Sequence, residues 1–251
     1  MNKIINNDCV YAMENNIPAG SIDLIVTSPP YNAQKSYEQD RQTEQEFWLF
    51  TEDWIFATYD VLKEGGAMFV NTGYWSGSRK DRFFIPAQMI EIAESAGYKF
   101  TSWINWVKGS AKNPVTSGSG WGDVYGVAPS FLNGTEPILY FRKDKGSHRD
   151  NKHDEWMKLV REPWVMPCSR EKEHDAAFPI GLPMNCIKMC SLEGDIVLDP
   201  FGGSGTTGLA CKELNRDYIL IEKSNEYYSL CVKRLWGESY LSPSQLNLLA
   251  E

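Results

Sequence analysis

Histidine is scarce in this chain of 251 residues, which has only three, at positions 148, 153 and 174. None sits in a pattern that would handle a hydride or a metal. The six cysteines contain no Cys-x-x-Cys pair. Cys186-x-x-x-Cys190 lacks a second pair or a neighbouring histidine, so no metal site is expected and the thiols are read as reduced and mostly buried in helices. Low-complexity tracts are absent, and no apolar run is long enough to span a bilayer. Met1–Asp8 has no apolar leader core, so a cytoplasmic protein with no membrane partner is expected. A basic surplus is lacking too. The formal net charge of −8 excludes a protein that coats nucleic acid non-specifically.

What is present fits an ordinary globular chain, 42% hydrophobic and 23% charged. Its length suits one large domain or one domain with an inserted lobe. Its charge is uneven. Arg142–Lys172 holds nine Lys/Arg against six Asp/Glu, a local surplus of +3, with Trp156 and Trp164 interleaved. Aromatics among basic residues suit contact with phosphates and bases, although a solvated surface insertion would read the same way.

The first informative stretch is Ile22–Tyr31. The apolar run Leu24-Ile25-Val26 reads as a core strand. It stops at Thr27-Ser28-Pro29-Pro30-Tyr31, where two prolines remove two backbone donors and fix two φ angles. The result is a stiff loop at the carboxyl end of a strand, bearing a hydroxyl, bare carbonyls and an aromatic ring. In open α/β sheets ligands bind at such ends.

Other elements follow in order. Residues 3–10 read as a short strand ending in polar residues. Thr43-x-x-Glu46 is a capping box that opens a helix, its stripe Phe47, Phe50, Trp54, Ala57 and Val61 keeps a helical period, and Gly65-Gly66 are expected to end it. Ala67–Val70 reads as a strand, 85–96 as a helix, Lys99–Val107 as a strand, 108–130 as a long loop, and Ile138–Phe141 as a strand. Leu182–Ser191 reads as an apolar helix. This alternation predicts a mostly parallel sheet with helices on both faces.

The second informative stretch is Asp195–Gly208, read as strand, glycine turn and helix. Gly203-x-Gly205-x-x-Gly208 matches a dinucleotide-type fingerprint, weak alone but here in the right context. The next strand, Tyr218–Ile221, ends at Glu222, placed to accept hydrogen bonds from ribose hydroxyls. The pair points to an adenosine-type cofactor with a free ribose diol.

Together the two stretches resemble the β class of S-adenosylmethionine-dependent DNA amino-methyltransferases, and the resemblance spans nearly the whole chain. Thr27–Tyr31 is similar to that family's catalytic motif, and Asp199-Pro200-Phe201-Gly202-Gly203-Ser204-Gly205-Thr206-Thr207 to its cofactor loop. Asn7-Asp8 resembles its contact to the cofactor's adenine, and Val61–Gly66 its turn after the first helix. His174-x-Ala176-x-Phe178-Pro179-x-x-Leu182 resembles the segment leading into the cofactor site, and Arg216–Glu222 its ribose-binding strand. The catalytic strand precedes the glycine loop, as in the circularly permuted β class. The resemblance therefore implies a permuted Rossmann-like fold: residues 1–141 a catalytic half, 142–172 a short target-recognition insertion, and 173–251 a cofactor half. It implies S-adenosylmethionine as cofactor and double-stranded DNA as partner. A homodimer and a cognate restriction enzyme are further possible partners. The residues assigned to the cofactor are Asp8, Phe178, Asp199, Phe201, Gly203, Ser204, Gly205, Thr206 and Glu222.

For the chemistry, Ser28, Pro29, Pro30 and Tyr31 are the expected catalytic residues. The lone pair of an exocyclic amine on cytosine or adenine is delocalised into the ring. Acceptors for its two N–H bonds, the Ser28 hydroxyl oxygen and the Pro29 carbonyl, would localise it. The prolines hold those acceptors ready. The base must be flipped from the duplex, where Tyr31 can stack on it. Ser28 is no strong base, so the proton is expected to leave after methyl transfer. In the family, serine at this position is commoner for cytosine N4 than for adenine N6, so N4 is favoured and N6 stays open. C5 methylation would need a cysteine nucleophile, and Pro167-Cys168 lacks a strand–loop context. Three other readings are weighed. An NAD-type oxidoreductase leaves Ser28–Tyr31 unexplained, and a non-catalytic DNA-binding module leaves both motifs so. The third is methylation of RNA or protein, where the basic, Trp-containing segment favours nucleic acid over protein but does not separate RNA from DNA.

Overall fold

The computed structural model describes residues 1–31, 42–76, 82–109, 134–143, 159–161, 163–168, 178–241 and 245. Strand β1 (Lys3–Asn6) ends early, because Asp8 caps helix α1 (Cys9–Asn16) through the backbone N–H groups of Val10 and Tyr11. Residues 7–10 are thus cap and helix, where the sequence suggested a continuing strand. Strand β2 is Ile22–Thr27 and helix α2 is Glu44–Val61, opened by the expected Thr43–Glu46 capping box.

Strand β3 (Leu62–Asn71) follows α2 without a break, so Gly65-Gly66 lie inside a strand and do not end the helix. Ile22 pairs with Leu62 but Leu24 with Ala67, so Lys63–Gly66 bulge outward. Gly65 adopts φ 76° there. A Cβ on Gly66 would lie 2.7 Å from the Leu62 side chain.

The remainder comprises β4 (Trp75–Ser76), β5 (Phe83–Phe84), α3 (Ile85–Ser95), β6 (Tyr98–Lys108), β7 (Thr135–Lys143), β8 (Trp164–Met166), α4 (Gly181–Cys190), β9 (Ile196–Asp199), α5 (Thr206–Glu213), β10 (Asp217–Glu222) and α6 (Asn225–Trp236). Among the described residues the main sheet has the order β1-β10-β9-β2-β3-β7-β6-β8. Every pairing in it is parallel except those of β7, which runs antiparallel between β3 and β6. The expected mostly parallel sheet is present.

Alternation along the strands divides the interior into two cores. Ile25, Met68, Val70, Leu198, Ile219 and Ile221 point to α1, α2 and α3. Leu24, Val26, Phe69, Val197, Tyr218 and Leu220 point to α4, α5 and α6. Helices therefore cover both faces, and α6, which the sequence reading did not include, closes the second. Among the described residues no helix is long and apolar enough to cross a membrane.

Most of 142–172, the expected recognition insertion, lies outside the described residues, as does most of the 108–130 loop. Of the insertion, residues 142–143, 159–161 and 163–168 are described. Lys143 pairs with Tyr98, at the edge where β6 begins, and Met166 pairs with Lys108, where β6 ends. Trp164–Met166 is a strand leading into Pro167-Cys168, a context the sequence did not reveal. That strand is the far edge of the sheet, with β3, β7 and β6 between it and β2, so Cys168 is remote from Ser28.

Candidate active site

Strands β1, β2, β3, β9 and β10 all end at one edge of the sheet, and the two informative stretches meet there. Asp199, the last residue of β9, is buried. Its carboxylate accepts from the Thr27 hydroxyl at 2.7 Å, the Thr207 hydroxyl at 2.6 Å and the Phe201 backbone N–H at 3.1 Å. One side chain thus joins the end of β2, the start of the glycine loop and the first turn of α5. Burial pushes its pKa up, and these three hydrogen bonds pull the other way.

Glu222 ends β10 beside it. Oε2 accepts from the Gly203 N–H at 2.8 Å and Oε1 from the Ser224 N–H at 2.8 Å, while burial raises its pKa. A carboxylate oxygen can accept a second hydrogen bond, so both keep capacity toward a ligand. Asn6 donates to the Glu222 carbonyl at 2.9 Å, which fastens β1 to the same corner. Asp8 caps α1 through Oδ1 and pairs through Oδ2 with Lys223 at 3.2 Å. Asp8 is therefore tied to the residue that follows Glu222.

The loop between β9 and α5 is shaped by its glycines. Gly205 takes φ 85°, and a Cβ there would lie 2.8 Å from Cys231 Sγ. Ser204 and Thr206 are buried, and both hydroxyls face Arg234 of α6. Phe201 is wedged edge-on between Phe50 and Trp54 of α2, with centroids at 6.0 and 5.6 Å. Phe178 is buried in the core shared with α4, and the described contacts do not join it to Phe201 or Glu222.

Across the sheet, Pro29 is buried and Ser28, Pro30 and Tyr31 are half-buried. Ser28 Oγ lies 2.7 Å from the Tyr31 hydroxyl. That hydroxyl also faces two oxygens of Asn71, the backbone carbonyl at 3.1 Å and Oδ1 at 3.4 Å. The Asn71 amide donates to the Pro137 carbonyl at 3.2 Å, which fixes its orientation. Neither Asn71 oxygen carries a proton, so the arrangement that satisfies both contacts at once has Tyr31 donating to Asn71 and Ser28 donating to Tyr31. The hydroxyl of Ser28 is left facing other partners as an acceptor. Gly73 lies close beside this chain, where a Cβ would lie 3.3 Å from the Tyr31 ring, so a side chain there would press the ring by a few tenths of an ångström. Asn71 and Arg234 were not singled out by the sequence reading. The end of a buried strand marked the first, and a Ser224 cap with apolar Cys231 and Leu235 four apart marked a helix carrying the second.

The architecture matches solved methyltransferases. A protein of Thermus thermophilus described as a candidate DNA modification methylase, solved in complex with S-adenosyl-L-methionine, superposes with a TM-score of 0.72 at 22% identity, covering 95% of this chain and 94% of that one. The PvuII DNA methyltransferase, described as cytosine-N4-specific, superposes with a TM-score of 0.74 at 22% identity, covering 98% and 89%. The fold is therefore the Rossmann-like α/β fold of methyltransferases. Type II methyltransferase M.HpaI of Haemophilus parainfluenzae is 30% identical over 256 residues, covering 94% of this chain and 74% of that protein. The model of the N6/N4 methyltransferase family, described as DNA methylase, matches residues 22–233. The chain belongs to the N6/N4 DNA methylase family.

Proposed function

We propose that this chain transfers a methyl group from S-adenosylmethionine to the exocyclic amino group of a base turned out of double-stranded DNA, with cytosine N4 preferred to adenine N6. The observation that carries this reading is the Thr27–Asp199 hydrogen bond at 2.7 Å. It fixes the hydroxyl-bearing loop and the glycine loop side by side on adjacent strands, so one ligand on each can meet at their shared edge.

The residues present suit the cofactor. Glu222 offers carboxylate oxygens at a strand end, suited to a ribose diol, and the glycine loop turns through left-handed Gly203 and Gly205, φ 48° and 85°, of which Gly203 is half-exposed and Gly205 is buried against α6. Phe201, held edge-on by α2, offers an apolar wall. Bound S-adenosylmethionine supplies a methyl carbon on a cationic sulfonium. At the other loop, the Ser28 oxygen and the Pro29 carbonyl accept the two N–H bonds of the target amine and localise its lone pair. Pro30 keeps those acceptors in place. The amine becomes an acidic ammonium after transfer and loses its proton then, so no strong base is needed. Tyr31 both orders the Ser28 proton and presents a ring for stacking on the base. The preference for cytosine N4 rests on Ser28, through the family resemblance, and 142–172 is kept as the proposed recognition insertion.

Incubation with labelled S-adenosylmethionine and mixed-sequence duplex DNA, followed by digestion to nucleosides and mass spectrometry, should yield N4-methyldeoxycytidine. N6-methyldeoxyadenosine would overturn the base preference, and absence of any methylated nucleoside the whole reading. A smaller effect is expected for Tyr31→Phe, which keeps the ring and loses the hydroxyl. The single-turnover rate should fall about 3–10-fold, the worth of one hydrogen bond, with DNA affinity unchanged. An unaltered rate would remove Tyr31 from the ordering of Ser28.

A further inference from the structure

We infer that helix α6 is the backing plate of the cofactor loop and that Arg234 is a positioning residue for cofactor binding. The inference rests on the glycine loop being the S-adenosylmethionine site. A glycine-rich loop is conformationally expensive to order, because each glycine gives up more backbone freedom than any other residue. If the loop were held only by its ligand, that cost would be taken from the binding energy. Here α6 holds it from behind. Arg234 Nη1 reaches Ser204 Oγ at 3.0 Å, the Ser204 carbonyl at 3.3 Å and Thr206 Oγ1 at 3.5 Å. The guanidinium so reaches the residues on both sides of Gly205, which takes a left-handed φ of 85°. Gly205 meets Cys231 and Leu235, four residues apart on α6, and Gly208 meets Leu235, at distances that leave no room for a Cβ.

The plate is itself fixed. Trp236 Nε1 donates to the Tyr218 hydroxyl at 2.9 Å, and Lys212 of α5 donates to the Leu235 carbonyl at 2.8 Å. Both neighbours, β10 and α5, flank the loop. Arg234 therefore lies behind the loop and acts through Ser204 and Thr206, so its loss should change cofactor affinity more than the transfer step.

Isothermal titration of the full chain with S-adenosylmethionine and with S-adenosylhomocysteine tests this. Arg234→Met is expected to weaken both by about 10–100-fold, since hydrogen bonds from a charged donor are each worth about 1.5–3 kcal/mol and 1.4 kcal/mol is tenfold. KM for the cofactor should rise while kcat at saturation stays within about threefold. Arg234→Lys, with a point charge in place of a planar fork, should fall between Arg234→Met and wild type. If Arg234→Met does not fold, Arg234→Lys, Ser204→Ala and their combination form a cycle in which the two changes should be non-additive. An unchanged dissociation constant, additivity in that cycle, or an equal loss of DNA affinity would overturn the inference. Failure of the wild-type chain to bind either ligand would instead overturn the cofactor reading itself.

Discussion

Replacing Ser28 with alanine is expected to slow single-turnover methyl transfer about 10²–10³-fold, the range seen when one preorganised polar contact to a transition state is removed. The structural ground is the hydrogen-bond chain linking Ser28, Tyr31 and Asn71, which is satisfied throughout when Ser28 donates to Tyr31 and its oxygen is left to accept. Cofactor affinity should be unchanged, because the glycine loop and Glu222 are untouched. Rapid quench with labelled cofactor on duplex DNA gives the rate, and titration calorimetry the affinity. A full single-turnover rate would rule out the acceptor role. Lost cofactor binding would instead show that Ser28 is structural.

The second large effect is on stability. Asp199→Ala strands three donors at once, the hydroxyls of Thr27 and Thr207 and the N–H of Phe201. At about 1–3 kcal/mol for each unsatisfied buried group, with hydroxyl rotation relieving part, a loss of about 3–5 kcal/mol is expected in urea unfolding. A loss under about 1 kcal/mol would mean that water replaces the carboxylate without cost.

Asp199→Asn separates charge from hydrogen bonding. Burial raises the folded pKa of Asp199, so the folded chain holds this proton to higher pH than the unfolded chain does. Its contribution to stability is therefore largest below the unfolded carboxylate pKa of about 4, and falls as pH rises through the folded value. Asparagine has no such titration. The stability of wild type relative to Asp199→Asn should decline with rising pH above about 4. A difference that grows with pH would show that the three hydrogen bonds outweigh burial. Glu222 is shifted in the same direction by burial, so Glu222→Gln should show the same sign.

Much of this architecture was legible because the sheet is buried on both faces. Leu24–Val26, Val197–Leu198 and Tyr218–Ile221 are continuous apolar runs, the first two ending at proline-containing turns and the third at Glu222. The Thr43–Glu46 box gave the start of α2 for the same local reason. What escaped detection was set by tertiary contact. Gly65-Gly66 carry the same turn signal whether they end a helix or form a bulge, and only the pairing of Leu62 with Ile22 decides. The antiparallel direction of β7 is not written in its residues, since a buried strand reads alike either way. Asn71 and Arg234 are polar residues whose partners, Tyr31 and Ser204, lie 40 and 30 positions away. No periodicity signals such a pair.

The placing of β9 next to β2 governs how the protein must assemble. Thr27 and Asp199 are separated by 172 positions, yet they adjoin at the centre of the sheet. Contacts of that span come late and slowly, because the intervening chain must first surrender its freedom. β1 pairs with β10, and β2 reaches β1 only across β9 and β10. A nascent chain released at residue 143 would thus hold two parallel strands with a gap two strands wide between them. The loop that carries Ser28 acquires its buried anchor, Asp199, only when the last third of the chain arrives. Synthesis and folding are thereby coupled, and a truncated product should be inert and prone to pair its open β2 edge with other chains.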